Sequence, residues 1–268
     1  MPPLPPPPPR TLALSPYVTA TGRALAAAAR RRGLGCETLR EWRAPDGPHG
    51  IGSLYAGPRF ADAVAGGLGL GLLEAPADWL ATLPYELTGR GIEFTTVARA
   101  RALRRPAFVK PPNDKSFPAR VYPDGSGLPG PDAMDDDTPV LVGDVVAFTT
   151  EYRLFVRDGA VLTGSRYAVR GALDVVPLEE DGRRDEVLDF AARVLAPGVP
   201  PLPSAVVLDV GAVDGRWAVV EANAAWASGH YACDADAALD VVLRAARPVP
   251  EVGPRDARFL RPVRHAVR

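Results

Sequence analysis

The chain has 268 residues, 47% of them hydrophobic, and can therefore bury a substantial core as one large or two small domains. Its 31 Lys and Arg residues nearly balance its 32 Asp and Glu residues, and the formal charge of -1 argues against a general nucleic-acid binder. No uninterrupted apolar stretch reaches the about 20 residues of a membrane span, so we expect no membrane partner. The two cysteines, Cys36 and Cys233, lie far apart without a metal-ligand spacing, which indicates reduced thiols in a cytoplasmic protein.

The N-terminal part of the chain is predicted to hold a short arm and an α/β domain. Residues 1–9 are mostly proline and are typical of a disordered polyproline arm. From residue 10, a short strand, an Ala-rich helix that ends before Gly33 and a second strand indicate a βαβ unit. The domain is predicted to span residues 10–96, with strands at 11–18, 37–42 and 90–96 and helices at 21–32, 60–68 and 77–83.

The remainder of the chain is predicted to be richer in strands. We divide it into a central subdomain at 97–147, a C-terminal subdomain at 148–247 and a tail at 248–268. In the central subdomain, a strand that ends on Lys110 and its return strand flank a polar loop with Lys115 near the tip. The predicted elements are helices at 97–103, 184–195 and 236–247 and strands at 107–110, 119–122, 140–148, 151–156, 160–167, 205–210 and 217–222.

Lysine is the rarest basic residue in this chain. Lys110 and Lys115 are its only lysines, and the other 29 of the 31 basic residues are arginine. Such a bias is typical of a GC-rich genome, in which Lys drifts to Arg wherever either residue serves. A lysine is a compact point charge whereas arginine is a broad planar fork, so positions that keep lysine are candidates for a specific role. Chance survival of either lysine is the alternative.

Three oxygen-bearing side chains interrupt the apolar strands of the last predicted hairpin. Glu221 and Asn223 are two residues apart and therefore share one face of their strand. Asp209 is predicted to lie almost opposite Glu221 across the turn. Two carboxylates and an amide oxygen are hard ligands that suit Mg²⁺ when phosphate oxygens and water complete the shell. The alternative is an exposed sheet face with ordinary polar alternation.

The order of these features resembles the ATP-grasp superfamily, in its carboxylate-amine ligase type. The strand lysine, the lysine-bearing loop, Val-Leu-Val-Gly-Asp-Val-Val, Glu-Tyr-Arg-Leu-Phe-Val and the Glu-Ala-Asn triplet follow one another as in that family. The resemblance covers residues 55–234 and is nearest to the glutamate-ligase and tubulin-tyrosine-ligase-like branch and an uncharacterised bacterial clade. It implies an ATP-grasp fold, mixed α/β and α+β, in which an N-terminal α/β domain precedes two α+β subdomains that clamp Mg-ATP.

The resemblance also implies roles for individual residues. Nucleotide binding falls to the strand lysine, the loop lysine, two residues of the hinge that receives adenine through backbone groups, and an acidic residue near the ribose. Catalytic positions, facing a phosphate or the substrate carboxylate, fall to two arginines, and the magnesium ligands match without substitution. The nucleotide set is Lys110, Lys115, Asp144, Val145 and Glu151; the catalytic set is Arg153 and Arg170; the metal set is Asp209, Glu221 and Asn223.

The implied activity is ATP-dependent ligation of a carboxylate to an amine through an acylphosphate, with ATP and Mg²⁺ as cofactors. The substrates are expected to be small-molecule or peptide carboxylates and amines. Two alternatives remain open at this point: phosphoryl transfer to a hydroxyl, and a non-catalytic module that binds ATP for regulation or interaction. His230, shortly after the Glu-Ala-Asn triplet, is either a residue of the substrate pocket or a loop histidine satisfied by backbone groups.

Overall fold

The structure is a computed structural model, and it describes residues 10–47, 49–113 and 115–262. The predicted polyproline arm at 1–9 and the end of the predicted tail lie outside the described residues.

The N-terminal elements confirm the predicted βαβ unit. Strand β1 pairs in parallel with two other strands, and the sheet order is β2-β1-β3. Helix α1 begins after Thr19, whose hydroxyl accepts a hydrogen bond from the Gly22 amide, and it ends just before Gly33, which has a φ of 72°. The elements are β1 (Thr11–Leu14), α1 (Ala20–Arg31), β2 (Gly35–Thr38) and β3 (Ile51–Tyr55).

Strand β2 ends at Thr38, four residues before the predicted end at 42. The following residues bend away from the sheet, and Arg43 forms ion pairs with Glu41 and Asp46 there instead of extending the strand. Four short elements follow β3: α2 (Pro58–Val64), β4 (Leu70–Leu72), α3 (Trp79–Thr82) and α4 (Tyr85–Thr88).

A four-stranded antiparallel sheet forms the central part of the molecule, with the order β5-β8-β6-β7. Strand β5, which we expected to close the first domain, pairs along its whole length with β8 and thus belongs to this sheet. Strand β8 ends at Gly143, because the residues that follow leave the sheet as a connecting segment. The elements are β5 (Ile92–Thr96), α5 (Val97–Arg101), β6 (Ala107–Lys110), β7 (Arg120–Tyr122) and β8 (Pro139–Gly143).

A five-stranded antiparallel sheet follows, with the order β11-β10-β9-β12-β13. Its central strand β12 is buried along its whole length. The outer strand β11 was not predicted, because it follows β10 across a two-residue turn and the pattern there is largely exposed. The elements are β9 (Thr150–Arg157), β10 (Ala160–Val169), β11 (Ala172–Pro177), α6 (Arg184–Val194), β12 (Ala205–Val213) and β13 (Arg216–Asn223).

The chain then returns to the N-terminal sheet through α7 (Ala235–Ala245) and β14 (Ala246–Pro248). Helix α7 packs against α1 and β3, and β14 pairs antiparallel with β4. One buried cluster therefore contains Leu12 and Leu25 of the N-terminal unit together with Leu239 and Val242 of α7. The predicted domain boundaries stay a prediction, but the last helix lies with the first sheet.

Within the described residues, the structure contains no helix both long and apolar enough to span a membrane.

Candidate active site

A cleft of about 700 Å³ lies between the four-stranded and five-stranded sheets. Phe108 and Leu141 of the first sheet and Tyr167 of the second contribute to a mainly apolar lining. Charged groups gather toward one part of the lining, where Lys110 and Glu221 meet. A long apolar slot with charged groups at its end suits a ligand with a flat apolar part and an anionic part.

Lys110 and Glu221 connect the two sheets at this point. Lys110 ends β6, its side chain is 13% exposed, and its ammonium forms a short ion pair with Glu221 on β13. Burial alone would raise the pKa of Glu221, but the Lys110 ammonium holds that pKa below its usual range. The carboxylate is therefore ionised and bound to the one strand lysine that the composition singled out.

The three predicted metal ligands lie together, as the alternation of the last hairpin indicated. Asp209 on β12 is the direct register partner of Glu221 on β13. The amide nitrogen of Asn223 donates hydrogen bonds to Oδ2 of Asp209 at 3.1 Å and to Oε1 of Glu221 at 2.8 Å. Burial raises the pKa of Asp209, against the lowering effect of the Arg153 guanidinium beside it.

The chemistry of these side chains fits a hard divalent cation with an incomplete protein shell. Two carboxylates and one amide supply oxygen ligands, and a half-turn of the Asn223 amide would exchange its nitrogen for its oxygen toward the carboxylates. In the described part of the chain, no three His, Cys, Asp or Glu side chains gather into a metal-binding group. A metal held here therefore depends on further oxygens from a ligand and water.

Arg153 on β9 is bound to Asp209 in a bidentate pair. Its Nε and Nη2 atoms donate to the two carboxylate oxygens at 2.9 and 2.6 Å, and Nη1 donates to the carbonyl of Gly229 at 3.2 Å. Burial disfavours the charge, but Asp209 raises the pKa of Arg153 above its ordinary value. The side chain is 12% exposed and lines neither large cleft of the site. In this structure, its donors are thus engaged by protein groups.

Glu151 and Arg170 line the same cleft from the five-stranded sheet. The carboxylate of Glu151 accepts a hydrogen bond from the Tyr167 hydroxyl at 2.7 Å, and burial raises its pKa. Arg170 is exposed and stands at the turn between β10 and β11, where it has a left-handed φ of 50° and is followed by Gly171 at 77°. The turn therefore brings an arginine side chain to the edge of the cleft.

The segment after β8 crosses one wall of the cleft. Asp144 lines the cleft, and its carboxylate accepts a hydrogen bond from the Gly91 amide at 2.9 Å. Val146 and Phe148 also line it, whereas Val145 is 50% exposed and lies outside the lining. Of the two predicted hinge residues, only Asp144 contributes to the cleft wall.

Lys115 lies in a second cleft of about 780 Å³. This cleft is bordered by the loop after β6, by Gly57 and Pro58 from the N-terminal sheet, and by the segment after β13, including Trp226. The two clefts share three lining residues, Lys110, Ala119 and Glu221. They therefore meet at the Lys110–Glu221 pair, with Lys115 on the far side.

Arg90 is a site residue that sequence reasoning missed. Its buried guanidinium donates to the carbonyls of Thr88, Val219 and Val220 at 2.9, 2.8 and 3.0 Å, and it lies 5.2 Å from the Phe148 ring centroid in the cleft wall. Burial lowers its pKa to about 10. A single arginine in a chain with 29 of them gives no sequence signal.

His230 lies beside the N-terminus of α1 rather than in either cleft lining. Its Nδ1 atom is 3.0 Å from the Thr21 hydroxyl, and its backbone amide donates to the same oxygen at 3.1 Å. Burial lowers its pKa, so the ring is neutral near pH 7. These contacts agree with the loop histidine of the two alternatives.

Two antiparallel sheets that face each other across a cleft, with an N-terminal α/β unit beside them, define an ATP-grasp fold. A family model described as an ATP-grasp domain, the second family of its clade, matches residues 87–241, which is more than half of the chain. The chain belongs to this family. Its membership confirms the resemblance drawn from the sequence and makes the protein an ATP-grasp ligase, that is, an ATP-dependent enzyme.

Solved structures share the fold. A RimK domain protein from Sphaerobacter thermophilus matches with a TM-score of 0.51 and 13% identity over 87% of this chain and 99% of that chain. The N5-carboxyaminoimidazole synthetase of Staphylococcus aureus, complexed with ADP, matches with a TM-score of 0.52 and 11% identity over 88% of this chain and 77% of that chain. At these identities, the likeness concerns the fold alone. A search of curated protein sequences found no match.

Proposed function

We propose that the protein joins a carboxylate to an amine, using Mg-ATP and an acylphosphate intermediate, to form an amide or peptide-like bond. The observation that carries this proposal is the meeting of two clefts at Lys110 and Glu221. One cleft suits a nucleotide, and the other is open to a second substrate. A phosphoryl group at the junction would be accessible from both sides.

The first cleft supports nucleotide binding by its shape and by its charges. Phe108 and Leu141 offer an apolar slot for a base, beside the backbone of the segment after Gly143. Glu151 is available to a ribose, and Lys110 and Arg170 supply positive charge for phosphates. We propose these groups as the nucleotide site because a triphosphate is neutralised most strongly by cations in a partly buried setting.

We propose Asp209, Glu221 and Asn223 as the residues that hold magnesium. Bound there, Mg²⁺ would neutralise phosphate oxygens and lower the repulsion between the triphosphate and an incoming carboxylate. The short Lys110–Glu221 ion pair supports this assignment, because it shows one cation already balancing the acidic side chains. The protein groups would thus have little chemistry to perform beyond positioning and charge balance.

The second cleft supports an anionic acceptor. Lys110 and Lys115 are its cationic lining residues, and Glu221, already paired with Lys110, is the acidic one among the described residues. A carboxylate in this cleft is attracted by Lys115 and lies next to the junction. We propose that the carboxylate substrate, either a small molecule or a peptide, binds here.

The order of chemical steps follows from the reactivity of a carboxylate. An amine cannot expel an oxide leaving group from it at neutral pH, so one carboxylate oxygen first attacks the γ-phosphorus and ADP leaves. The amine then attacks the acyl carbon, inorganic phosphate leaves, and the amine loses a proton. Both steps need charge neutralisation at the same point, which Lys110 and the proposed metal ligands can supply.

A hydroxylamine trap tests the proposal. The protein is incubated with Mg-ATP, a pool of carboxylates and hydroxylamine, and both ADP and hydroxamate are measured. We expect the two products in equal amounts, because hydroxylamine intercepts an acylphosphate. ADP formed with a hydroxyl acceptor and without any hydroxamate would instead indicate phosphoryl transfer.

Glu221→Gln serves as the matched inactive variant in that experiment. It keeps the size of the side chain while removing the charge that faces Lys110, and we expect ADP formation to fall at least about a hundredfold, as for lost electrostatic stabilisation. Glu93→Gln, on an exposed position of β5, should keep the wild-type rate. Equal rates in both variants would contradict the proposed site.

A further inference from the structure

Two tyrosine rings lie against Arg153 at the back of the site. Tyr167 and Tyr231 stack with ring centroids 5.0 Å apart and an interplanar angle of 10°. The guanidinium carbon of Arg153 lies 5.7 Å from the first centroid and 5.1 Å from the second. The stacked pair, which we call the tyrosine platform, therefore contacts the one side chain that holds both oxygens of Asp209.

Two separate backbone irregularities bring these rings together. Strand β10 has a register shift between Arg166 and Ala168 against both of its neighbours, so Tyr167 occupies a β-bulge. Tyr231 has a left-handed φ of 50°, which is costly for a bulky residue. Bulges redirect side chains next to active sites, and backbone strain persists only where the surroundings enforce it. Both deviations serve the same ring contact.

The tyrosine platform is also fixed at its inner edge. The Tyr167 hydroxyl donates to Glu151 at 2.7 Å, which ties the inner ring to a residue of the nucleotide cleft. Tyr231 is the outer ring and is partly exposed. Its removal therefore leaves the buried packing of the sheet largely intact.

Arg153 acts on the proposed metal site only through Asp209. A carboxylate offers about four lone-pair positions; the guanidinium takes two, and the Asn223 amide takes a third. The carboxylate cannot rotate without breaking the bidentate pair. Outer groups that orient a ligand in this way commonly change metal affinity by about 10- to 100-fold when removed.

We propose that Tyr167 and Tyr231 position Arg153, and that Arg153 thereby fixes the Asp209 carboxylate for metal binding. This inference rests on the proposed function, since it assumes a divalent cation at Asp209, Glu221 and Asn223. Arg153 is then a positioning residue, and its donors do not reach a phosphate while the pair with Asp209 persists.

A metal titration tests the proposal without measuring turnover. Mn²⁺, which is paramagnetic, is titrated into the full chain with a non-hydrolysable ATP analogue and followed by electron paramagnetic resonance. We expect Tyr231→Leu to raise the Mn²⁺ dissociation constant about tenfold. Tyr231→Phe, which retains the ring, should stay within about twofold of wild type. Tyr85→Leu, at a 55% exposed tyrosine of α4, is the matched control and should not change the constant.

Arg153→Lys keeps the charge and removes the fork, and it should weaken Mn²⁺ at least as much as Tyr231→Leu does. If this buried variant fails to fold, the Tyr231 pair still decides the question. Wild-type affinity in Tyr231→Leu, or an equal loss in Tyr231→Phe, would overturn the inference alone. Absence of Mn²⁺ binding by the wild-type protein would instead overturn the proposed function and the inference together.

Discussion

Lys110 is one of two lysines in the chain, and its ammonium bridges the two sheets through Glu221. The sequence drew attention to this residue because arginine stands at almost every other basic position. The structure gives that scarcity a physical reading: the ammonium occupies a narrow gap between β6 and β13, where a planar guanidinium is too broad. The composition argument and the ion pair thus concern the same atom.

Lys110→Arg keeps the net charge, yet we expect it to remove most ATP-dependent activity. A displacement of about 1 Å at the phosphates can cost about a hundredfold in rate. The measurement is the steady-state rate of ADP formation together with the thermal unfolding midpoint, which should change little. Arg104→Lys, the reverse exchange at an exposed arginine, should keep the wild-type rate. Near-normal activity in Lys110→Arg would mean that this lysine survived by chance.

Prediction of the site from sequence succeeded where two residues share a strand and stopped where pairing joins distant strands. Glu221 and Asn223 share a face because they are two residues apart, and Asp209 joins them across one hairpin. Arg153 is equally opposite Asp209, but on β9, which is not the neighbour of β12 in sequence. Its partner could not be read from local pattern, so it was assigned to a phosphate instead.

At the scale of elements, the strands with apolar alternation were predicted and the irregular ones were missed. Strand β6 matches its predicted range of 107–110, and α6 and β12 begin where the pattern begins. Strand β3, with the sequence Ile-Gly-Ser-Leu-Tyr, carries a glycine and a serine and is identified only by its burial in the parallel sheet. The predicted strand at 140–148 stops at Gly143, because Asp144 turns to bind the Gly91 amide.

The loop between β6 and β7 carries the second lysine into the second cleft rather than the first. Lys115→Ala should therefore lower turnover more than it weakens nucleotide binding, since the lysine would act once phosphate and acceptor are brought together. Steady-state kinetics and an ATP titration by calorimetry separate the two effects. We expect at least about a tenfold loss in kcat with less than about a threefold change in the ATP dissociation constant, in keeping with a gating role. The opposite pattern would make the loop a static binding element.

The whole molecule is tied together by its last helix. The family model ends at residue 241, but α7 continues to Ala245 and packs into the same core as β1, α1 and β3. Leu239 and Val242 are fully buried in that core. The segment that defines the family therefore cannot bury its own apolar surface without the N-terminal unit.

A fragment covering residues 87–241 should consequently fail to fold cooperatively, whereas the full chain should unfold in one transition. Exposure of one buried leucine or valine costs about 1.5–3 kcal/mol, and the fragment exposes several. Circular dichroism during heating and amide hydrogen exchange provide the comparison. A sharp unfolding transition and strong protection in the fragment would show that the first sheet is dispensable.

Ligand binding should stabilise the whole molecule only when nucleotide and metal are present together. Asp209 and Glu221 lie at the junction of the sheets, and without a cation their charges would repel a triphosphate despite the nearby lysine. ATP with magnesium should therefore raise the unfolding midpoint, with about 2.7 kcal/mol of stabilisation at a hundred times the dissociation constant. ATP in EDTA should give little shift. Thermal unfolding in millimolar ATP, with magnesium or with EDTA, measures this, and Asn223→Ala should reduce the magnesium-dependent shift while the unliganded midpoint stays close to wild type. Equal stabilisation in EDTA would place the nucleotide away from these carboxylates and remove the basis for a metal site there.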